Sequence, residues 1–136
     1  MRRLILYLSL AFSLCALLSL TALAFANPAG KYSGTWVGQQ SDGGIKIALS
    51  PAATQGEWTA EVSFTLGDQE VKCKTVHIKV DGDKLDLAYE FNIGGLQATS
   101  TVVGKFDGAK LEGTYSTKSS EGAAVDQGTF KTTLEK

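Results

Sequence analysis

The chain has 136 residues, 43% of them hydrophobic and 20% charged, with thirteen basic residues against fourteen acidic ones. Both arginines, Arg2 and Arg3, stand at the N-terminus, so the rest carries eleven lysines, no arginine and a net charge of −3. That balance, with no basic cluster, speaks against nucleic-acid binding, in which arginine makes the commonest base contact and many phosphate contacts.

The two arginines precede an uncharged, leucine-rich run from Leu4 to Leu23, and Ala24-Phe25-Ala26 supplies the small-x-small pattern of a cleavage site. Together these read as a secretory signal peptide over residues 1–26. The expected mature domain is residues 27–136, secreted or periplasmic, with no stable membrane span after cleavage. The alternative is an uncleaved anchor, because the uncharged run continues to Lys31 and is long enough to span a bilayer. A lipoprotein reading of Cys15 is set aside, since Leu14 stands where a small residue is wanted. Cys73 is the one cysteine of the mature domain. No intramolecular disulfide is open to it, and it reads as a small buried hydrophobe, with intermolecular pairing as the minority alternative.

From Lys31 onward the chain alternates. Strands are expected at 31–39, 44–50, 57–66, 69–80, 84–93, 96–106, 110–117 and 127–134. In the third, Trp58, Ala60, Val62, Phe64 and Leu66 share one face; in the fifth, Leu85, Leu87, Tyr89, Phe91 and Ile93 do. Period two with β-branched and aromatic residues marks half-buried strands. The fourth strand breaks phase: Val71 and Cys73 are odd, whereas Val76, Ile78 and Val80 are even. One extra residue near Lys74-Thr75 restores the pattern, so a β-bulge is expected there, with His77 facing solvent. Asp42-Gly43-Gly44, Gly67-Asp68, Asp81-Gly82-Asp83, Gly94-Gly95 and Asp107-Gly108 supply hairpin turns. Longer loops are expected near Ser50 to Gly56 and Lys118 to Asp126.

Short connections make sequence neighbours pair as antiparallel hairpins. An even number of strands lets the first meet the last, and closure removes exposed edges. The expectation is therefore an all-β, eight-stranded antiparallel up-and-down β-barrel. One repeated triplet supports closure. Gly34-Thr35-Trp36, Gly113-Thr114-Tyr115 and Gly128-Thr129-Phe130 fall on the first strand and the last two, which closure makes neighbours. An inward glycine lets a strand bend, and a neighbouring ring covers it.

The Gly34-Thr35-Trp36 start, soon after a signal peptide, resembles the Gly-x-Trp opening of lipocalins and the Gly-Thr-Trp opening of avidins and fatty-acid-binding proteins. These are calycins, meander barrels that mostly bind a small ligand in the barrel mouth. The resemblance implies that architecture, with Trp36 as a barrel-floor residue. The lipocalin arginine over that tryptophan and the helix after the barrel are missing here, as are the two helices of fatty-acid-binding proteins. The helix-free avidin layout fits best.

No catalytic constellation is present. Cys73 and His77, four residues apart on a strand, stand about 13 Å apart, too far for a nucleophile and its base. Asp81-Gly82-Asp83 lacks the remaining ligands of a calcium loop, and no zinc or phosphate-loop spacing occurs, so neither metal nor cofactor is expected. Aromatic residues remain: Tyr32, Trp36, Trp58, Phe64, Tyr89, Phe91, Phe106, Tyr115 and Phe130 all take inward positions. They either fill a narrow barrel or wall a small cavity. Ala98, Ser100 and Gly104 are small inward residues beside Val102 and leave room on the sixth strand. The expected ligand site is therefore Trp36, Tyr89, Phe91, Ala98, Ser100, Val102 and Tyr115, and the expected activity is non-enzymatic binding of a small, partly apolar molecule. The rival expectation is an envelope or secreted module with a solid core that binds or inhibits a protein partner.

Overall fold

A computed structural model of the chain describes residues 28–136. The signal peptide expected over residues 1–26, the cleavage point before Asn27, and Cys15 lie outside the described residues. Within them every regular element is a strand: β1 (Gly30–Gly38), β2 (Asp42–Pro51), β3 (Trp58–Leu66), β4 (Gln69–Lys72), β5 (Lys74–Asp81), β6 (Lys84–Ile93), β7 (Leu96–Asp107), β8 (Lys110–Ser119) and β9 (Ala124–Leu134). All pairings are antiparallel, in a single sheet of order β4-β3-β2-β1-β9-β8-β7-β6-β5.

The strand count among the described residues is nine, not eight, because the expected fourth strand is divided at Cys73 into β4 and β5. Its two halves serve different neighbours. β4 pairs with β3, and β5 pairs with β6, so the edges of the sheet are joined by one residue of chain. The Cys73 N–H donates to the Val62 carbonyl at 3.0 Å, and the Thr75 hydroxyl donates to the Ala60 carbonyl at 2.8 Å. Those bonds tie the start of β5 back to β3 and leave an up-and-down barrel that is nearly closed.

The phase break is a bulge one residue beyond the expected place. The β5–β6 register runs Thr75↔Tyr89 and then His77↔Ala88, so Val76 is the extra residue. The alternation places Val76 inside with Ile78 and Val80. It is instead 48% exposed, because the bulge takes it out of the ladder and Thr75 holds the inward place. Ile78 and Val80 pack against the core, and His77 is exposed. Val76→Thr should therefore change stability by no more than about 0.5 kcal/mol, as for ordinary surface positions. Ile78→Thr should cost clearly more in the same denaturant titration.

β9 pairs with β1 over Tyr32↔Leu134 to Gly38↔Gly128, as closure requires. At this seam Tyr115 lies opposite Gly128, and Phe130 lies opposite both Gly113 and Trp36. A Cβ on Gly34, Gly113 or Gly128 would land on the carbonyl oxygen of Lys131, Val103 or Val37 in the adjoining strand. The triplet's glycines thus mark places where main chains approach more closely than a side chain allows. The rings that follow them fill the concave space this creates.

Gly43 and Gly44, expected in the first hairpin turn, lie inside β2 opposite Trp36 and Thr35. The chain reverses at Gln39–Ser41 instead, where the Gly38 N–H bonds the Ser41 carbonyl at 2.9 Å. Gly43 is needed for close approach to the Thr65 carbonyl and the Trp36 indole rather than for a turn. The other hairpin tips, at Gly67, Gly82, Gly94 and Gly108, have φ of 56–61° and fit their expected turns.

Inward positions form one core, with Tyr32, Ile47, Leu49, Leu85, Leu87, Val102, Leu111 and Phe130 at 2% exposure or less. Each such side chain contributes about 1.5–3 kcal/mol. All nine aromatic residues expected inside belong to this core or pack against it.

Candidate functional site

The two ends of the barrel are filled differently. At the end where β1 and the C-terminal half of β9 meet, Tyr32 and Phe106 stack at a tilt with ring centroids 5.7 Å apart, and the Tyr32 hydroxyl donates to the Pro28 carbonyl at 2.9 Å. At the other end, below the β1–β2, β3–β4, β6–β7 and β8–β9 turns, five rings form a connected chain. Trp36 meets Phe64 and Tyr115 edge-on, each at 6.1 Å and at 88° and 89°. Phe64 meets Phe91 at 5.0 Å, and Phe91 meets Tyr89 at 6.1 Å. Alternation on β1, β3, β6 and β8 brings these rings together, since each stands on an inward position.

Between the rings lies a pocket of about 60 Å³, lined by Trp36, Ile45, Phe64, Tyr89, Val102, Tyr115, Thr117, Asp126 and Phe130. Trp36 stands in its wall, with the indole N–H donating to the Thr65 carbonyl at 3.2 Å. The polar groups gather on one side. The Tyr115 hydroxyl donates to Asp126 Oδ2 at 2.7 Å, and the Gln39 N–H donates to Asp126 Oδ1 at 3.0 Å. The Ser100 and Thr117 hydroxyls bond each other at 2.5 Å. No buried side-chain polar atom among the described residues lacks a hydrogen-bond partner.

Of the seven residues expected at a ligand site, Trp36, Tyr89, Val102 and Tyr115 line this pocket. Phe91 stands behind Phe64 and Tyr89. Ala98 and Ser100 are buried at 0% and 2% exposure and do not border the space, because the Ser100–Thr117 hydrogen bond closes that part of β7 against β8. Asp126 and Thr117 join the lining beyond the expected set. Asp126 falls at the end of the segment that reads as loop, yet it continues the inward alternation of Phe130 and Gly128 on β9. Carrying period two one step further toward the N-terminus finds it. Among the described residues no three His, Cys, Asp or Glu side chains gather as metal ligands. Cys73 packs against the core while His77 is exposed on the outer face.

Burial raises four acidic protons. The Cys73 thiol is pushed from 9.0 up to about 12 by desolvation. Tyr89 is raised by burial and by nearby Cys73, with Ser100 drawing it partly back. Tyr115 is raised by burial and then by its hydrogen bond to Asp126. Burial also raises Tyr32. The folded protein keeps these protons where the unfolded chain has lost them. Their contribution is complete below pH 9 and declines as pH rises through 9 for Cys73 and through 10 for the tyrosines. The urea midpoint should accordingly hold steady from about pH 7 to 8.5 and fall by about pH 10.5, and a midpoint constant to about pH 11 would contradict the burial of these groups.

No protein-family model matches the chain, and no curated protein matches its sequence.

Proposed function

We propose that the protein is an exported, non-enzymatic, calycin-like barrel that binds a small, partly apolar ligand in the aromatic pocket. The observation that carries this reading is the pocket itself: rings on several sides, with the Asp126 carboxylate, the Tyr115 hydroxyl and Thr117 collected on one side. A few convergent polar groups in an apolar concavity are the usual make-up of a ligand site. The leader-like sequence of residues 1–26 supports export. At about 60 Å³ the space is well below the roughly 300–1,000 Å³ of drug-sized sites. The guest is therefore a molecule of a few heavy atoms, or the head of a longer one.

The test uses Trp58→Phe protein, in which Trp36 is the indole among the described residues. Small alcohols, amines, carboxylic acids and phenols are titrated while Trp36 emission is followed. A saturable change that Val102→Phe removes without unfolding the barrel supports the reading, and a flat response across the panel rejects it.

A second reading, a protein-interaction module, is favoured by one feature of the outer surface. The cross-strand row Val37–Thr129–Thr114–Val103 and the neighbouring Gln127, Ser116 and Thr101 form an uncharged outward face across β1, β9, β8 and β7. Val37 and Val103 are 54% and 53% exposed there. A flat ligand response together with Val103→Lys blocking capture of a cognate protein would favour this module.

A further inference from the structure

We infer that the pocket selects a small organic cation, a primary ammonium head carrying a short alkyl group. This rests on the reading of the pocket as a ligand site and adds the chemical class of its guest.

Charge comes first. Among the lining residues Asp126 is the one charged side chain, and no lysine or histidine reaches the space. The single ion pair among the described residues joins Lys105 to Asp83, away from the pocket, so Asp126 has no cationic partner there. Its two hydrogen bonds come from neutral donors, the Tyr115 hydroxyl and the Gln39 N–H. Those bonds fix the carboxylate in place without cancelling its charge. An anionic guest would meet that charge with no compensating group.

The walls come second. The Trp36 ring stands at near right angles to the Phe64 and Tyr115 rings, so the space is bounded by rings in more than one orientation. An ammonium group near an aromatic face is attracted by the ring quadrupole, most strongly to indole, and more so as solvent is removed. A neutral guest of the same size gains only apolar contact from those walls. Aromatic walls with one carboxylate therefore favour a cation over its neutral isostere twice, through the rings and through Asp126.

Size comes third. A volume of about 60 Å³ has room for a handful of water-sized groups, each needing about 10–15 Å³ of such space. That accommodates methylammonium and other heads of a few heavy atoms. A longer chain attached to the head would extend through the turn end of the barrel.

The experiment titrates methylammonium chloride into Trp58→Phe protein and follows Trp36 emission, with potassium chloride holding ionic strength constant. Methanol and formate are the neutral and anionic probes. The expected result is saturable binding of methylammonium at least about tenfold tighter than methanol, with no response to formate. Asp126→Asn should weaken methylammonium at least about tenfold and leave methanol unchanged. Because that substitution also touches the Tyr115 hydrogen bond, Tyr115→Phe is the companion variant: it removes that bond but keeps the ring and the carboxylate, so both probes should weaken while methylammonium still binds more tightly than methanol, and loss of that preference overturns the cation assignment. Methanol binding as tightly as methylammonium, or Asp126→Asn binding methylammonium normally, overturns the cation assignment and leaves the ligand pocket standing. A failure of all three probes, together with a flat response to the wider panel, overturns both.

Discussion

Gly128→Val should lower the unfolding free energy by about 3 kcal/mol or more, the upper end of what overpacking costs. At this position the obstruction is main chain. A Cβ would fall on the Val37 carbonyl oxygen and crowd the Gly38 Cα, both in the strand that closes the barrel. A flexible side chain could swing aside, but a paired strand moves only by giving up its ladder. Whole domains of this size are stable by about 5–15 kcal/mol, so the loss is a large share of the total. Thr129→Ala, one residue on and exposed, is the control and should stay within about 0.5 kcal/mol. Denaturant titration of the pair measures the difference. A near-neutral Gly128→Val would mean that the β1–β9 seam yields, and the close-approach role of the repeated triplet would fail with it.

The second large effect is expected at Phe130, whose side chain is 1% exposed and lies across from Trp36 on β1 and Gly113 on β8. Phe130→Ala should cost about 3–5 kcal/mol, the range for a buried phenylalanine. The strands around it are held by ladders on both sides, so the void has little scope to collapse. Trp36 emission should shift to longer wavelength in the folded variant as water reaches the enlarged space. A cost below about 1 kcal/mol would show that the ring fills no essential volume.

Much of this fold is legible in the amino-acid sequence, for identifiable reasons. Where alternation is clean, as from Leu85 to Ile93, one face has to be buried and the strand follows. The Gly-Thr-aromatic triplets announce the seam, because glycine and ring two residues apart face the same way. Local irregularity is harder. Between Thr75 and His77 the pattern calls for one extra residue but does not say which. Side-chain type favours keeping Val76 inside, whereas the ladder keeps Thr75, whose hydroxyl satisfies the Ala60 carbonyl. Gly43 looks like turn chemistry because close approach to another strand leaves no local mark. The pocket is half visible: its rings follow from alternation. Its carboxylate does not, since Asp126 sits among small and polar residues that read as loop. That Ser100 and Thr117 close on each other depends on the β7–β8 register, a non-local quantity.

The β1–β9 pairing also sets an order in time. β1 is complete at Gly38, but the strand that covers its second side begins only at Ala124. At synthesis rates of about 5–20 residues per second, β1 waits on the order of ten seconds for that partner. Until then the ribosome holds a row of hairpins with an open edge and no enclosed interior. Joining the most distant strands comes last and carries the greatest entropy of chain closure, which places this topology among the slow folders. Whatever the earlier hairpins do, the core can therefore be enclosed only once synthesis has reached the last strand.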